Sequence, residues 1–145
     1  RCMVLGGHGD SMVPMPQFST INGVSVTAMF AQSDIDAINQ RTKGGGAEIV
    51  NLLKTGSAYY APSAAAVAMA KSIMRDEKRL LPAAAHLTGQ YGLEDIYIGA
   101  PVVLGKNGVE RVVELELDDE GRAKLHASAE AIRQDVATLA EKGLV

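Results

Sequence analysis

The sequence predicts an α+β fold, an antiparallel sheet with packed helices and a long C-terminal helix, on three observations. Apolar residues recur at helical spacing in the first half: Ile35 and Ile38, then Ile49, Val50, Leu52 and Leu53, then Val67, Met69, Ile73 and Met74. Between residues 79 and 117 the pattern changes to extended runs separated by turns at 89–92 and 106–108. The last segment returns to helix, with Leu125, Ala129, Ile132, Val136 and Leu139 at intervals of four, three, four and three. Helices, then a meander, then a terminal helix do not make the strand–helix alternation of a parallel doubly wound sheet.

Residues 3–5 are a short apolar run suited to a strand. Gly6 and Gly7 end it and leave His8 at an exposed tip, with Gly9 on its other side. Pro14 and Pro16 keep the following chain extended or turning. Residues 17–27 alternate in character about Asn22-Gly23, a hairpin signal. Ser33 followed by Asp34 offers an N-cap for a helix with Ile35 and Ile38 on one side and Asp36, Gln40 and Arg41 on another.

Gly44-Gly45-Gly46 is expected to break or bend that helix. No strand precedes these glycines and no Walker-type lysine–hydroxyl pair follows, which favours a helix junction over a phosphate cradle. Helical character resumes over 47–54, and Thr55-Gly56-Ser57 closes it. Pro62 suits the first turn of the next helix, which runs to about Arg75. The alanine-rich face of this helix lets another helix approach closely, within the domain or from a second subunit, and the second subunit is favoured.

Residues 79–88 read as a strand in which Pro82 indicates an edge or a bulge. A turn at 89–92 leads to a strand over 96–104. A tight hairpin at 106–108 leads to its partner over 109–117, where Val113, Leu115 and Leu117 alternate with Glu114 and Glu116. Three antiparallel strands are expected. Asp118 or Asp119 caps the terminal helix. His126, one position off the apolar stripe, reads as a helix-surface residue, and His86 as a strand residue.

At 145 residues the chain is one domain, long enough to bury a core. A formal charge of −3 supplies no basic patch of the size nucleic acid requires, so no nucleic-acid partner is expected. No apolar run reaches the roughly 18 residues of a membrane span and no signal-like segment opens the chain, so no membrane partner is expected either. Cys2, the one cysteine, forms no internal disulfide, which fits a reducing compartment; the cytoplasm is the default location. The chain opens on Arg1 without Met and enters a strand at once, so it reads as a piece of a longer polypeptide.

The chemistry centres on His8. Histidine is the side chain whose charge changes near neutral pH, and an imidazole at a strand end with backbone space on both sides is a candidate proton donor and acceptor. The alternative is a solvated loop histidine. No metal site is expected: His86 and His126 lie far along the chain in no ligand spacing, Cys2 is alone, and His8-x-Asp10 is not a ligand set by itself.

Val4-Leu5-Gly6-Gly7-His8-Gly9-Asp10-Ser11-Met12-Val13-Pro14 closely resembles the active-site histidine segment of the lactate/malate dehydrogenase family, in the form carried by bacterial malate dehydrogenases built like lactate dehydrogenases. Further matches are Asn39-Gln40-Arg41-Thr42 before Gly44-Gly45-Gly46-Ala47-Glu48-Ile49-Val50, the run Leu52-Leu53-Lys54-Thr55-Gly56-Ser57-Ala58-Tyr59-Tyr60-Ala61-Pro62, Gly89-Gln90-Tyr91-Gly92, and Gly105-Lys106-Asn107-Gly108-Val109-Glu110. The resemblance covers nearly the whole chain but only the second half of the family's protein. It implies that 1–145 is a C-terminal substrate and catalytic domain whose N-terminal NAD-binding Rossmann domain is absent from this sequence.

The resemblance further implies reversible oxidation of (S)-malate to oxaloacetate by hydride transfer to NAD, with His8 as general acid and base, and a homodimer or homotetramer. Ser57 matches a family position that lines the substrate pocket. The family's orienting aspartate and substrate-clamping arginines lie upstream of the histidine motif; Asp10 is not assigned the orienting role, and Arg1, Arg41 and Arg75 match no clamp position. The sequence holds no strand-G-x-G-x-x-G-helix unit, so the residues that bind the cofactor are unknown and the isolated chain is expected to be inactive. L-lactate dehydrogenase, and a purely structural or oligomerisation fragment, are the alternatives.

Overall fold

The computed structural model describes residues 2–144, so Arg1, with the reading of the chain's opening, lies outside the described residues together with Val145. Seven strands and three helices follow one another: β1 (Val4–Gly6), β2 (Met12–Pro14), β3 (Thr20–Ile21), β4 (Val24–Ser25), α1 (Gln32–Leu53), α2 (Tyr60–Met74), β5 (Arg79–Thr88), β6 (Glu94–Gly105), β7 (Gly108–Val112) and α3 (Asp119–Glu141). All strand pairings are antiparallel. The expected α+β architecture is what the chain adopts.

The sheet is larger than the three expected strands. β6 is its spine, pairing with β5 along its length on one side and with β7 and β1 on the other, while β2 extends the sheet beyond β1. β5 is therefore an edge strand, which is why Pro82 is tolerated opposite Pro101. The β3–β4 hairpin turns at Asn22-Gly23, both at positive φ, as its sequence requires.

Three local expectations are corrected. The cap of α1 is Ala31 and not Ser33, so the helix begins at Gln32 and lacks a side-chain cap. The triple glycine does not break α1, which runs continuously from Gln32 to Leu53. Each helical glycine costs about 1 kcal/mol relative to alanine. Opposing that cost, Arg41 spans the three glycines with two hydrogen bonds to Glu48, at 3.0 and 3.2 Å, and the Thr42 hydroxyl donates to the Ile38 carbonyl at 2.7 Å. Those hydrogen bonds, with charge second, hold the Glu48 carboxyl below its usual range.

The third correction is the strand expected over 109–117, which leaves the ladder after Val112. Tyr91 takes over from there. Its hydroxyl accepts from the Leu115 N–H at 2.9 Å and donates to the Val113 carbonyl at 3.1 Å, while its own N–H donates to the Glu114 carboxylate at 2.7 Å. The alternation of Val113, Leu115 and Leu117 thus serves a segment pinned across the sheet end; Leu115 and Leu117 pack against the core without a strand partner.

Tyr91→Phe leaves the Leu115 N–H and Val113 carbonyl without that partner and is expected to cost about 1–3 kcal/mol, read by denaturant unfolding. Burial is the main influence pushing the Tyr91 phenol up; the Leu115 N–H opposes it and the Glu114 charge adds to it. A raised folded value means that the neutral phenol's contribution is complete below the unfolded value of about 10 and is lost as pH rises through the folded one. Alkaline unfolding above that value should therefore be steeper in the parent chain than in Tyr91→Phe.

The core lies between the sheet and the first half of α3, joining Leu5, Val13 and Met15 to Leu87, Leu93, Ile96 and Ile98 and to Leu125 and Ala129. Asp118 caps α3 by accepting from the Gly121 N–H at 2.7 Å. The expected apolar stripe is buried only at that end, since Val136 and Leu139 are exposed. α2 turns only Ala68, Met69 and Ser72 inward, with the buried Ser72 hydroxyl donating to the Leu104 carbonyl at 2.6 Å.

Candidate functional site

Two glycines bring the end of β1 onto the sheet. Gly6 faces Gly99 in register, and a Cβ on Gly99 would stand 2.5 Å from the Gly6 carbonyl oxygen. Gly6 itself sits at φ +85°, a conformation that disfavours side chains. This close approach fixes where β1 stops, and the backbone reaches His8 two residues later.

His8 is extended (φ −99°, ψ 142°) and immediately precedes a single 3-10 turn, Gly9–Ser11, that leads into β2. Its side chain is exposed. The backbone on both sides of it is held by one group: Ser128 of α3 accepts from the Gly7 N–H at 2.8 Å and donates to the Ser11 carbonyl at 2.7 Å. α1 packs beside the same turn.

His8 lies on the wall of an open cavity of about 580 Å³. β1, the turn after it and the start of β2 supply Gly6, Gly7, Ser11 and Met12; β5 and β6 supply Pro82, Ala84, Tyr97 and Gly99; α3 supplies Ile132 and Asp135. The lining is mainly apolar and small, with the imidazole and the Asp135 carboxylate as its ionisable groups apart from the Tyr97 phenol. No carboxylate among the described residues lies within ion-pair distance of His8. Among the residues lining the cavity none is an arginine: Arg41 is paired with Glu48, and Arg75 with Glu77 at 4.0 Å.

Ser57 is exposed in the connection between α1 and α2 and does not line this cavity. His86 is bound to Asp95 at 3.1 Å on the sheet surface and stacks near Tyr97. His126 is exposed on α3, as expected, with Nε2 3.0 Å from the Tyr91 carbonyl. Among the described residues no group of three His, Cys, Asp or Glu side chains could hold a metal ion. A second groove of about 330 Å³, between the β1–β2 hairpin, β3 and α1, is lined mostly by apolar residues including Met15, Ile21, Phe30 and Ile35.

Ser128 and Asp135 escaped the reading of the sequence. For Ser128 a signal existed: it falls three residues after Leu125 and four before Ile132, a hydroxyl set inside the apolar face of α3. A buried hydroxyl at such a position needs a partner. Asp135 had no comparable signal, because a carboxylate at that spacing on an exposed helix end looks like any solvated residue.

Comparison with known proteins adds a lineage to this geometry. Residues 1–142 match the family described as lactate/malate dehydrogenase, alpha/beta C-terminal domain. The chain is 59% identical over 139 residues to a malate dehydrogenase of Roseiflexus castenholzii, covering 96% of this chain and 45% of that protein. It is 53% identical over 137 residues to malate dehydrogenase 1 of Anaeromyxobacter dehalogenans, covering 94% and 44%.

Among solved structures, malate dehydrogenase from Salinibacter ruber superimposes with a TM-score of 0.93 at 45% identity, covering 99% of this chain and 48% of that one. Lactate dehydrogenase from Eimeria maxima, solved with NADH and oxamate, superimposes with a TM-score of 0.91 at 37% identity, covering 99% and 45%. The chain spans about half the length of the curated relatives it matches.

Proposed function

Since the chain belongs to the lactate/malate dehydrogenase family through its α/β C-terminal domain, we propose that residues 1–145 are the substrate and catalytic domain of an NAD-dependent malate dehydrogenase in which His8 is the general acid and base. One observation carries the proposal: the family's histidine motif stands on the wall of an open cavity, its ring exposed and its backbone fixed on both sides.

In this reading His8 accepts the proton of the C2 hydroxyl as (S)-malate is oxidised, and returns it as imidazolium when oxaloacetate is reduced. The nicotinamide, when bound, accepts or supplies the hydride. Gly6, Gly7 and Gly99 in the lining carry no side chain, which in this reading leaves room beside the imidazole for a flat ring and a small acid. The sequence offers no glycine-rich strand-to-helix turn for the dinucleotide's phosphates, so NAD is assigned mainly to an N-terminal Rossmann domain of the same polypeptide. The arginines that clamp substrate carboxylates and the aspartate that orients His8 are assigned to that half as well.

Substrate choice is tested in the polypeptide that joins 1–145 to its dinucleotide-binding half. The expected result is a kcat/KM for oxaloacetate ~100-fold or more above that for pyruvate; the reverse preference makes the protein an L-lactate dehydrogenase. Residues 1–145 alone are expected to show no NADH oxidation with oxaloacetate, because several groups must be placed together for the reaction. Ser57, which lies outside the lining of the His8 cavity, is proposed on family likeness alone to approach the second carboxylate once the substrate is bound. Ser57→Leu should raise KM for oxaloacetate ~10-fold without changing NADH affinity, a loss of the size expected from disturbing one pocket contact.

Assembly is a second, compatible part of the reading. Exposed apolar side chains lie along α1 (Ile38, Val50, Leu52), α2 (Val67, Ile73, Met74) and the end of α3 (Val136, Leu139). A homodimer or homotetramer covers them. Light scattering should give at least twice the protomer mass; a monomer at high concentration contradicts it. No described helix is long and apolar enough to cross a membrane, and a cytoplasmic location, suited to the free Cys2, belongs to the same proposal.

A further inference from the structure

Ser128 is 4% exposed and sits 121 residues from Gly7 along the chain, yet its hydroxyl uses both of its hydrogen-bonding capacities on the segment that carries His8. It accepts from the N–H of the residue before the histidine and donates to the carbonyl three residues after it. The neighbouring Leu125 and Ala129 are fully buried, so the helix that presents this hydroxyl is itself anchored in the core.

The glycine that ends β1 is tied to the same contact. A Cβ on Gly6 would stand 2.8 Å from the Ser128 hydroxyl oxygen, and one on Gly7 would stand 3.5 Å from it and 2.2 Å from the Ser11 hydroxyl. At Gly6 the serine, with Val13 and the Ser11 carbonyl, leaves no room for a side chain; at Gly7 the obstacle is the Ser11 hydroxyl. A tip of Gly-His-Gly with no such tether would move, because glycine restricts the backbone least.

We infer that Ser128 is a positioning residue for His8: its two hydrogen bonds transfer the rigidity of the core to the loop and hold the imidazole where proton transfer occurs. The inference rests on the reading of His8 as the proton relay and adds the residue that sets its place. A misplacement of about 1 Å costs about 100-fold in rate, so loss of the tether is expected to act on the chemical step rather than on cofactor binding.

The test uses the polypeptide joined to its dinucleotide-binding half. Ser128→Ala is expected to lower kcat 10- to 100-fold per folded enzyme, leave NADH dissociation within twofold, and raise the isotope effect on kcat with deuterated NADH. Amide exchange in the peptide 6–12 should quicken, and Ser128→Thr, which keeps the hydroxyl, should recover most of kcat. Should the alanine variant fail to fold, Ser128→Cys, close in shape and a weak hydrogen-bonding group, carries the same expectations. A kcat within twofold of the parent, in a variant whose His8→Asn counterpart is inactive, overturns the positioning role alone. Unchanged turnover in His8→Asn overturns the reading beneath it, whatever the exchange rates show.

Discussion

Replacing His8 with asparagine in the full-length polypeptide is expected to lower the rate of oxaloacetate reduction by about 10²–10⁴-fold, the range that a positioned general acid supplies. Asparagine keeps a polar side chain of similar reach on a residue that is exposed and extended, so folding should be unaffected. NADH affinity should stay within twofold, since the lost interaction belongs to the transition state. Stopped-flow rates in both directions check this, and both should fall together in His8→Asn, since the same ring accepts the proton in one direction and returns it in the other.

Gly99→Ala carries the second large effect. The new methyl group would meet a backbone carbonyl, that of Gly6, at 2.5 Å, and backbone cannot swing aside as the end of a side chain can. Gly6–Gly99 is the register pair that joins β1 to the sheet, so β1 has to move, and with it the strand end that presents His8. Overpacking of this kind costs about 1–3 kcal/mol. The variant should combine that loss in chemical denaturation with a fall in kcat of ~100-fold from the displaced imidazole. Gly45→Ala is the control: nothing lies within 4 Å of the added methyl group, and a helical alanine in place of glycine stabilises by about 1 kcal/mol.

These two positions show how legible the chain was. His8 stood out because glycines flank it and because the surrounding string matches a family motif. Its exposure followed from the same residues. Local chemistry also placed the Asn22-Gly23 hairpin, the Pro82 edge strand, the Asp118 cap and the tight connection before Gly108, each a consequence of what a few neighbouring residues allow.

The site's framework was hidden because its contacts join distant residues. The pairing of Gly6 with Gly99 and the tether from Ser128 to Gly7 link segments that no local pattern associates. Tyr91 misled the reading in another way: 113–117 alternates like a strand, but past the Val113 N–H, which still donates to the Pro101 carbonyl of β6, its hydrogen bonds go to Tyr91 and not to a ladder. The triple glycine of α1 misled it through propensity, a weak local preference that the surrounding helix overrides, the exposed Arg41–Glu48 pair offsetting only part of the cost. Ser57 remained a matter of family likeness, since it lies outside the lining of the His8 cavity.

The proposal that His8 relays the proton in a cleft completed by a dinucleotide-binding half is tested most directly by a distance. In a structure of the full-length polypeptide with NADH and an unreactive substrate analogue, an imidazole nitrogen of His8 is expected within about 2.6–3.2 Å of the oxygen that stands for the C2 hydroxyl. A ring turned into solvent, with another side chain holding that oxygen, would contradict the account.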